Sequence, residues 1–160
     1  MEFDTVAYAP SDGVNVILGQ SHFIKTVEDL HETLAGSSPH LRFGVAFCEA
    51  SGPRLVRSSG NDDALVAEAT ELATRIAAGH AFVVLLADGF PVNVLNQIKA
   101  VPEVCGIYCA TANPIEVLLA RTGLGRAILG VVDGEPPVGR ETDQDRQDRH
   151  ALLRTIGYKL

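Results

Sequence analysis

Residues 81–87 read Ala-Phe-Val-Val-Leu-Leu-Ala with no polar interruption. A run so short and so apolar predicts a strand covered on both faces. Residues 2–9 alternate apolar and polar, which predicts a half-buried strand. Pro10-Ser11-Asp12-Gly13 then turns the chain into a second strand at 14–18, and the pair reads as a hairpin. Helical spacing takes over at 26–36, where Val27, Leu30 and Leu34 share a face, Thr26 is placed to cap and Gly36 to stop the helix. Strands at 41–50 and 54–60 are divided by the turn Ser51-Gly52-Pro53. The clearest helix is 62–79, with Leu65, Ala69, Leu72, Ala73 and Ile76 on one stripe, Asp62 and Asp63 in the first turn and Gly79 past the end. Pro91 opens a helix over 91–101, at a position where its missing N–H costs nothing. Segments 104–112, 115–122 and 125–134 are β-like, the middle one also compatible with a helical turn. Residues 135–141 read as a loop, and the last helix, about 143–156, is expected to bury Leu152, Leu153 and Ile156.

Interleaved helices and strands, a strand-rich last third and an opening hairpin predict an α/β (α+β) fold. The expectation is one compact domain over 1–160, a mixed β-sheet with flanking helices. Hydrophobic residues at 46% against 21% charged set disorder aside. The net charge of −7 argues against a nucleic-acid or anionic-membrane partner, which calls for a basic stripe. No apolar run approaches the roughly 20 residues that a membrane helix needs. With no leader-like opening and three cysteines in no scaffold spacing, a cytoplasmic location is expected.

The stretch Gly-Gln-Ser-His-Phe-Ile-Lys-Thr, 19–26, puts chemistry at a strand-to-helix turn. Free N–H groups at a helix start attract anions. Ser21 adds a hydroxyl, Lys25 a full charge, and His22 a ring able to act as a nucleophile near neutrality. These residues describe a phosphate pocket; the plainer account is a turn serine, a backbone-bonded histidine and a solvated lysine. A second polar knot, Arg57 to Asp63, has two readings as well. Asn61 or Asp62 caps the following helix, or the two line a cleft with Asp62 holding a metal and Arg57 meeting a phosphate. Gly123-Leu124-Gly125 lacks the third glycine of a dinucleotide loop, and no phosphate-binding P-loop pattern occurs. Glu116, Arg121, Arg126 and Asp133 are charges set in apolar strand, so each pairs, lies at an edge or faces an interface or cleft. Cys105 and Cys109 read as inert core thiols and not as a metal pair. His31, His40, His80 and His150 read as packing or surface residues.

Four segments together resemble the adenosine-specific kinase family: "GQSHFIKTVEDL", "FGVAFCEASGPRLVRSSGND", "NPIEVLLARTGLGRAILGVVDG" and the closing "LLRTIGYK". The likeness runs through nearly the whole chain in order. It implies a compact α/β protein that forms a homotrimer, binds adenosine, AMP or another adenine nucleotide, and carries a phosphoryl group on histidine. On that resemblance His22 is the expected phosphorylated residue. Ser21 and Lys25 would contact phosphate, Asn61 and Asp62 would line the same pocket, and Arg57 and Arg121 would be further phosphate contacts. The reaction would take phosphate from ATP to adenosine. Mg²⁺ is expected from that reaction class, with Asp62 as its ligand. The rival expectation is an oligomer that binds or senses AMP or adenosine without efficient chemistry.

Overall fold

A computed structural model describes residues 1–160, in the order β1 (Glu2–Tyr8), β2 (Asn15–Ser21), α1 (Thr26–Ser37), β3 (Arg42–Cys48), β4 (Val56–Gly60), α2 (Asp63–Ile76), β5 (Ala81–Ala87), α3 (Pro91–Lys99), β6 (Val104–Thr111), β7 (Ile115–Arg121), β8 (Arg126–Asp133) and α4 (Asp143–Thr155). The class is mixed α/β, as the pattern predicts. The strands divide into a five-stranded sheet, β4-β3-β5-β2-β6, and a three-stranded sheet, β1-β7-β8. Every neighbouring pair is antiparallel.

The expected hairpin of the first two strands does not form: β1 pairs with β7, and β2 lies between β5 and β6. The reason is burial. Val16, Ile17 and Leu18 are each fully buried, which demands a central strand, whereas β1 hides only Val6 and Tyr8. Alternation along β5 shows how both faces of the large sheet are covered. Ala81, Val83, Leu85 and Ala87 enter one core with α2 and the small sheet, while Phe82, Val84 and Leu86 enter the other with α1 and α3. Full burial of a side chain such as Phe43, Phe47 or Phe82 stabilises by about 1.5–3 kcal/mol before entropy is counted.

The helix ends differ in detail from the sequence expectation. Thr26 is the first helical residue of α1 and not its cap; Lys25 precedes it without a side-chain cap bond. At α2, Asp62 is the N-cap and accepts from the Leu65 N–H at 3.0 Å. That helix ends at Ile76, before Gly79, with Ala77 in the left-handed region at φ 50°. Arg126 then donates to the carbonyls of Arg75 and Ile76, satisfying two of the acceptors that a helix end leaves open. The last helix departs most: α4 buries no residue, and Leu152 and Ile156 are 56% and 51% exposed. Of the three residues expected to be buried, Leu153 alone is partly covered. Cys105 is exposed while Cys109 is buried, because two irregularities between β2 and β6 break the alternation that would align them.

Candidate active site

β2 delivers Ser21 to one end of the large sheet, and residues 22–25 turn the chain into α1. Neighbouring strands hold that turn: the Ser21 N–H donates to the His80 carbonyl at 3.0 Å, and the His22 N–H to the Glu103 carbonyl at 3.1 Å. Ser21 is 1% exposed, with its hydroxyl 2.8 Å from that of Thr26, which also donates to the Phe23 carbonyl at 2.6 Å. Ser21 is therefore a pin under the turn, turned away from any phosphate outside it. His22 is exposed. The peptide N–H groups of Phe23, Ile24 and Lys25 make no hydrogen bond within the chain. Three successive free donors at a helix start are groups of the kind that can meet an anion, and here an exposed imidazole precedes them.

Lys25 is half exposed, with its ammonium on Asp29 and, at 2.7 Å, on Glu103 Oε1. Asp29 first and Glu103 second push the ammonium above the usual lysine range, and Lys25 in turn holds the Asp29 carboxyl below its ordinary value. Glu103 is only 4% exposed, and its Oε2 is buried without a partner. A lone acid ahead of an apolar strand was the only trace of it in the sequence, and no motif marked it.

The second polar knot is elsewhere. Asn61 accepts from the Phe43 N–H and donates to the Leu41 carbonyl, both at 2.8 Å. Asp62 caps α2 and receives Arg42 at 2.8 Å, and Arg42 also reaches Asp88. The Leu65 N–H, then Arg42, hold the Asp62 carboxyl below its ordinary range. Register places this group beside Arg42↔Ala87, while Ser21 lies beside the start of β5. Along seven-residue β5 that is a separation of about 20 Å. Within one chain, Asn61 and Asp62 do not share a pocket with His22, which corrects that expectation: they latch the start of β3 to the start of α2. Asp62 also has both carboxylate oxygens engaged. Its two oxygens face a helix N–H and a guanidinium, and no group of three or more His, Cys, Asp or Glu gathers anywhere in the chain.

Arg57 lies at the His22 end, but three strand spacings across the sheet, about 14 Å, in the row Arg57↔Phe47↔Phe82↔Gly19. It pairs with Glu49 at 3.0 Å, and its Nε is buried without a partner. Glu49 also accepts from the Leu55 N–H at 2.7 Å, and that bond first, Arg57 second, lowers its titration range. His80 sits between the two groups, its ring stacked on Phe47 with centroids 5.8 Å apart. Arg121 is exposed at the head of the β7–β8 turn, 3.9 Å from Glu2. Of the other strand charges, Arg126 pairs with Asp4, and Asp133 accepts from Thr111 and Asn113.

The β7–β8 turn forms one wall of a cleft of about 760 Å³, which Glu49, Arg54, Gly79 and Arg126 also line. It opens at the same end of the large sheet as His22, on the other side. Gly79 is on its wall and the next residue, His80, holds the Ser21 N–H. The volume falls in the range of small-molecule sites, about 300–1,000 Å³.

Fold and site together define a small antiparallel α/β sandwich that exposes an imidazole before a turn with three unbonded peptide N–H groups. The chain belongs to the adenosine specific kinase family, whose model matches residues 6–159. Its fold is that of the PH1918 protein from Pyrococcus horikoshii OT3, known from a crystal structure. The two agree with a TM-score of 0.95 and are 44% identical over 99% of this chain and 98% of that one. A search among curated proteins finds no match.

Proposed function

We propose that the protein binds adenosine and its phosphates and transfers a phosphoryl group from ATP to adenosine through His22. The single observation that carries this is the exposed imidazole followed by three unbonded peptide N–H groups and Lys25, in a chain of the adenosine-specific kinase family. In the first step a ring nitrogen attacks the terminal phosphorus of ATP. An N–P bond forms, the bridging P–O bond breaks, and ADP leaves with its electron pair. In the second, the adenosine hydroxyl attacks phosphorus, the N–P bond breaks, AMP forms, and the hydroxyl proton passes to water. Attack needs the unprotonated ring, and the turn amides with Lys25 meet the charge on the phosphoryl oxygens. Ser21, Asn61 and Asp62 support the structure around this chemistry and do not touch phosphate in the same chain.

Incubation with radiolabelled ATP tests the reading. An acid-labile label on His22, chased into AMP by adenosine and lost in His22→Ala, is the expected result. Incorporation falls as the medium is acidified and the ring protonates. A label that survives in His22→Ala removes the role of this residue. A second reading, an AMP- or adenosine-binding oligomer without turnover, draws on Lys25 being tied to two carboxylates. Tight AMP binding by calorimetry with no label transfer would select it.

A further inference from the structure

Glu103 is the feature that the sequence did not bring forward. Its side chain is one of the most deeply buried charged groups in the chain, at 4% exposure. One oxygen meets Lys25; the other, Oε2, is sealed from solvent and has no donor. A buried acceptor left without a donor costs about 1–3 kcal/mol, more for a charged group, so an unmet one in a folded chain points to a partner that arrives with function. Its neighbour is already identified: the Glu103 carbonyl holds the His22 N–H. Neither residue lies in a strand, but the bond continues the β2–β6 register one step past Ser21↔Val104, so the two residues are neighbours across the sheet edge.

We propose that Glu103 is the positioning carboxylate of His22, with Oε2 the acceptor for the ring N–H opposite the attacking nitrogen. This rests on the phosphoryl-transfer reading above. When one ring nitrogen takes the phosphoryl group, the ring becomes cationic and its remaining N–H turns strongly acidic. A carboxylate accepting that N–H fixes the tautomer in which the other nitrogen is free to attack, and it offsets the new positive charge. Lys25 is the switch in the arrangement. In the structure its ammonium occupies Glu103 Oε1 and Asp29. An incoming phosphate competes for that ammonium, and as Lys25 turns to it the negative charge of Glu103 is left to the imidazole. The titratable groups around His22 are Lys25 in the turn, Asp29 on α1, whose carboxyl also neighbours that of Glu103, Glu103 just before β6, Cys105 in β6, and His80 ahead of β5. Of these, Glu103 alone joins deep burial to an unmet acceptor.

The test is an NMR titration of the His22 ring in the full chain, unmodified and as Glu103→Gln, which keeps the shape and removes the charge. Losing a nearby carboxylate makes the ring easier to deprotonate, so its titration midpoint is expected to fall by about 0.5–1 pH unit in the variant. Label transfer from ATP is expected to slow by about 10–100-fold while AMP affinity stays within about twofold, as expected for a group that acts on the transfer step more than on binding. Glu103→Asp, which keeps the charge, retains most of the midpoint. If labelling proceeds on His22 with midpoint and rate unmoved in Glu103→Gln, the proposal is overturned and the transfer reading stands. If the midpoint moves but no label ever appears, the transfer reading fails and the coupling stands. Loss of fold in Glu103→Gln leaves a measurement on the unmodified chain: the Glu103 carboxyl resonance should inflect at the His22 midpoint, and a flat trace there overturns the proposal.

Discussion

Asn61 joins two pieces of backbone that have no other partner. Its amide oxygen accepts the Phe43 N–H and its amide nitrogen donates to the Leu41 carbonyl, just before and just inside β3. Truncation to alanine leaves both groups unmet in a partly buried place, at about 1–3 kcal/mol for each. Asn61→Ala is therefore expected to lower unfolding stability by about 2–4 kcal/mol in urea titrations, while histidine labelling by ATP persists in the folded fraction. A loss under 1 kcal/mol would contradict the latch. The neighbouring Asp62 does what its place before a helix suggested, and the sequence left capping and cleft-lining equally open for these two residues. What decided between them was the identity of the facing groups, Leu41, Phe43 and Arg42, about 20 positions away in the chain.

The crossing of α2 over β3 is set by glycine. A Cβ on Gly44 would lie 2.3 Å from the backbone of Leu65, and one on Gly60 would lie 2.4 Å from the Phe43 carbonyl oxygen. Backbone cannot retreat as a flexible side chain can, so α2 sits close to the sheet because Gly44 lacks a side chain, while Gly60 leaves room for the Phe43 carbonyl of β3 and the Val66 side chain of α2. Gly44→Ala is expected to cost about 3 kcal/mol, the upper part of the usual range for overpacking. Gly36 in α1 has nothing within 4 Å of such a Cβ. There the same change is expected to stabilise by up to about 1 kcal/mol, because alanine loses less entropy in a helix. Calorimetric melting of the two variants should show shifts of opposite sign, and a common sign would refute the account. The amphipathic stripes of α1 and α2 were legible from spacing alone. The cap of α2 was among the readings at Asp62, whereas Thr26 became the first residue of α1 and bonds Ser21.

The molecule as a whole leaves two apolar surfaces open. On the outer side of the small sheet Phe3 is 72%, Leu129 58%, Val132 44% and Leu118 38% exposed, and α4 holds Leu152 and Ile156 away from the body. Contiguous exposed apolar area of this kind marks association in soluble chains, and a homotrimer is the assembly that the reading of this family proposes. Light scattering on the eluting protein should give three times the chain mass of 17.0 kDa. A Leu129→Glu variant should shift the mass toward one chain, with its far-ultraviolet spectrum preserved. A wild-type chain that elutes as a monomer at micromolar concentration would refute this assembly. No helix is long and apolar enough to cross a membrane.

Local order of apolar and polar residues was sufficient for the class of fold, for the helices α1 to α3, for the buried strand β5 and for the turn that carries His22. Those features depend on periodicity and on neighbours within a few positions, and a linear chain displays both. Strand pairing depends on which surfaces find each other across long loops, and so the partner of β1 emerged only in three dimensions. The same holds for charge. Whether Lys25 faces solvent or two carboxylates, and which cation pairs with Asp62, depends on the residue that folding brings within 3 Å. Glu103 stands furthest from the reach of the sequence: burial gives that carboxylate its meaning, and burial belongs to the packed molecule.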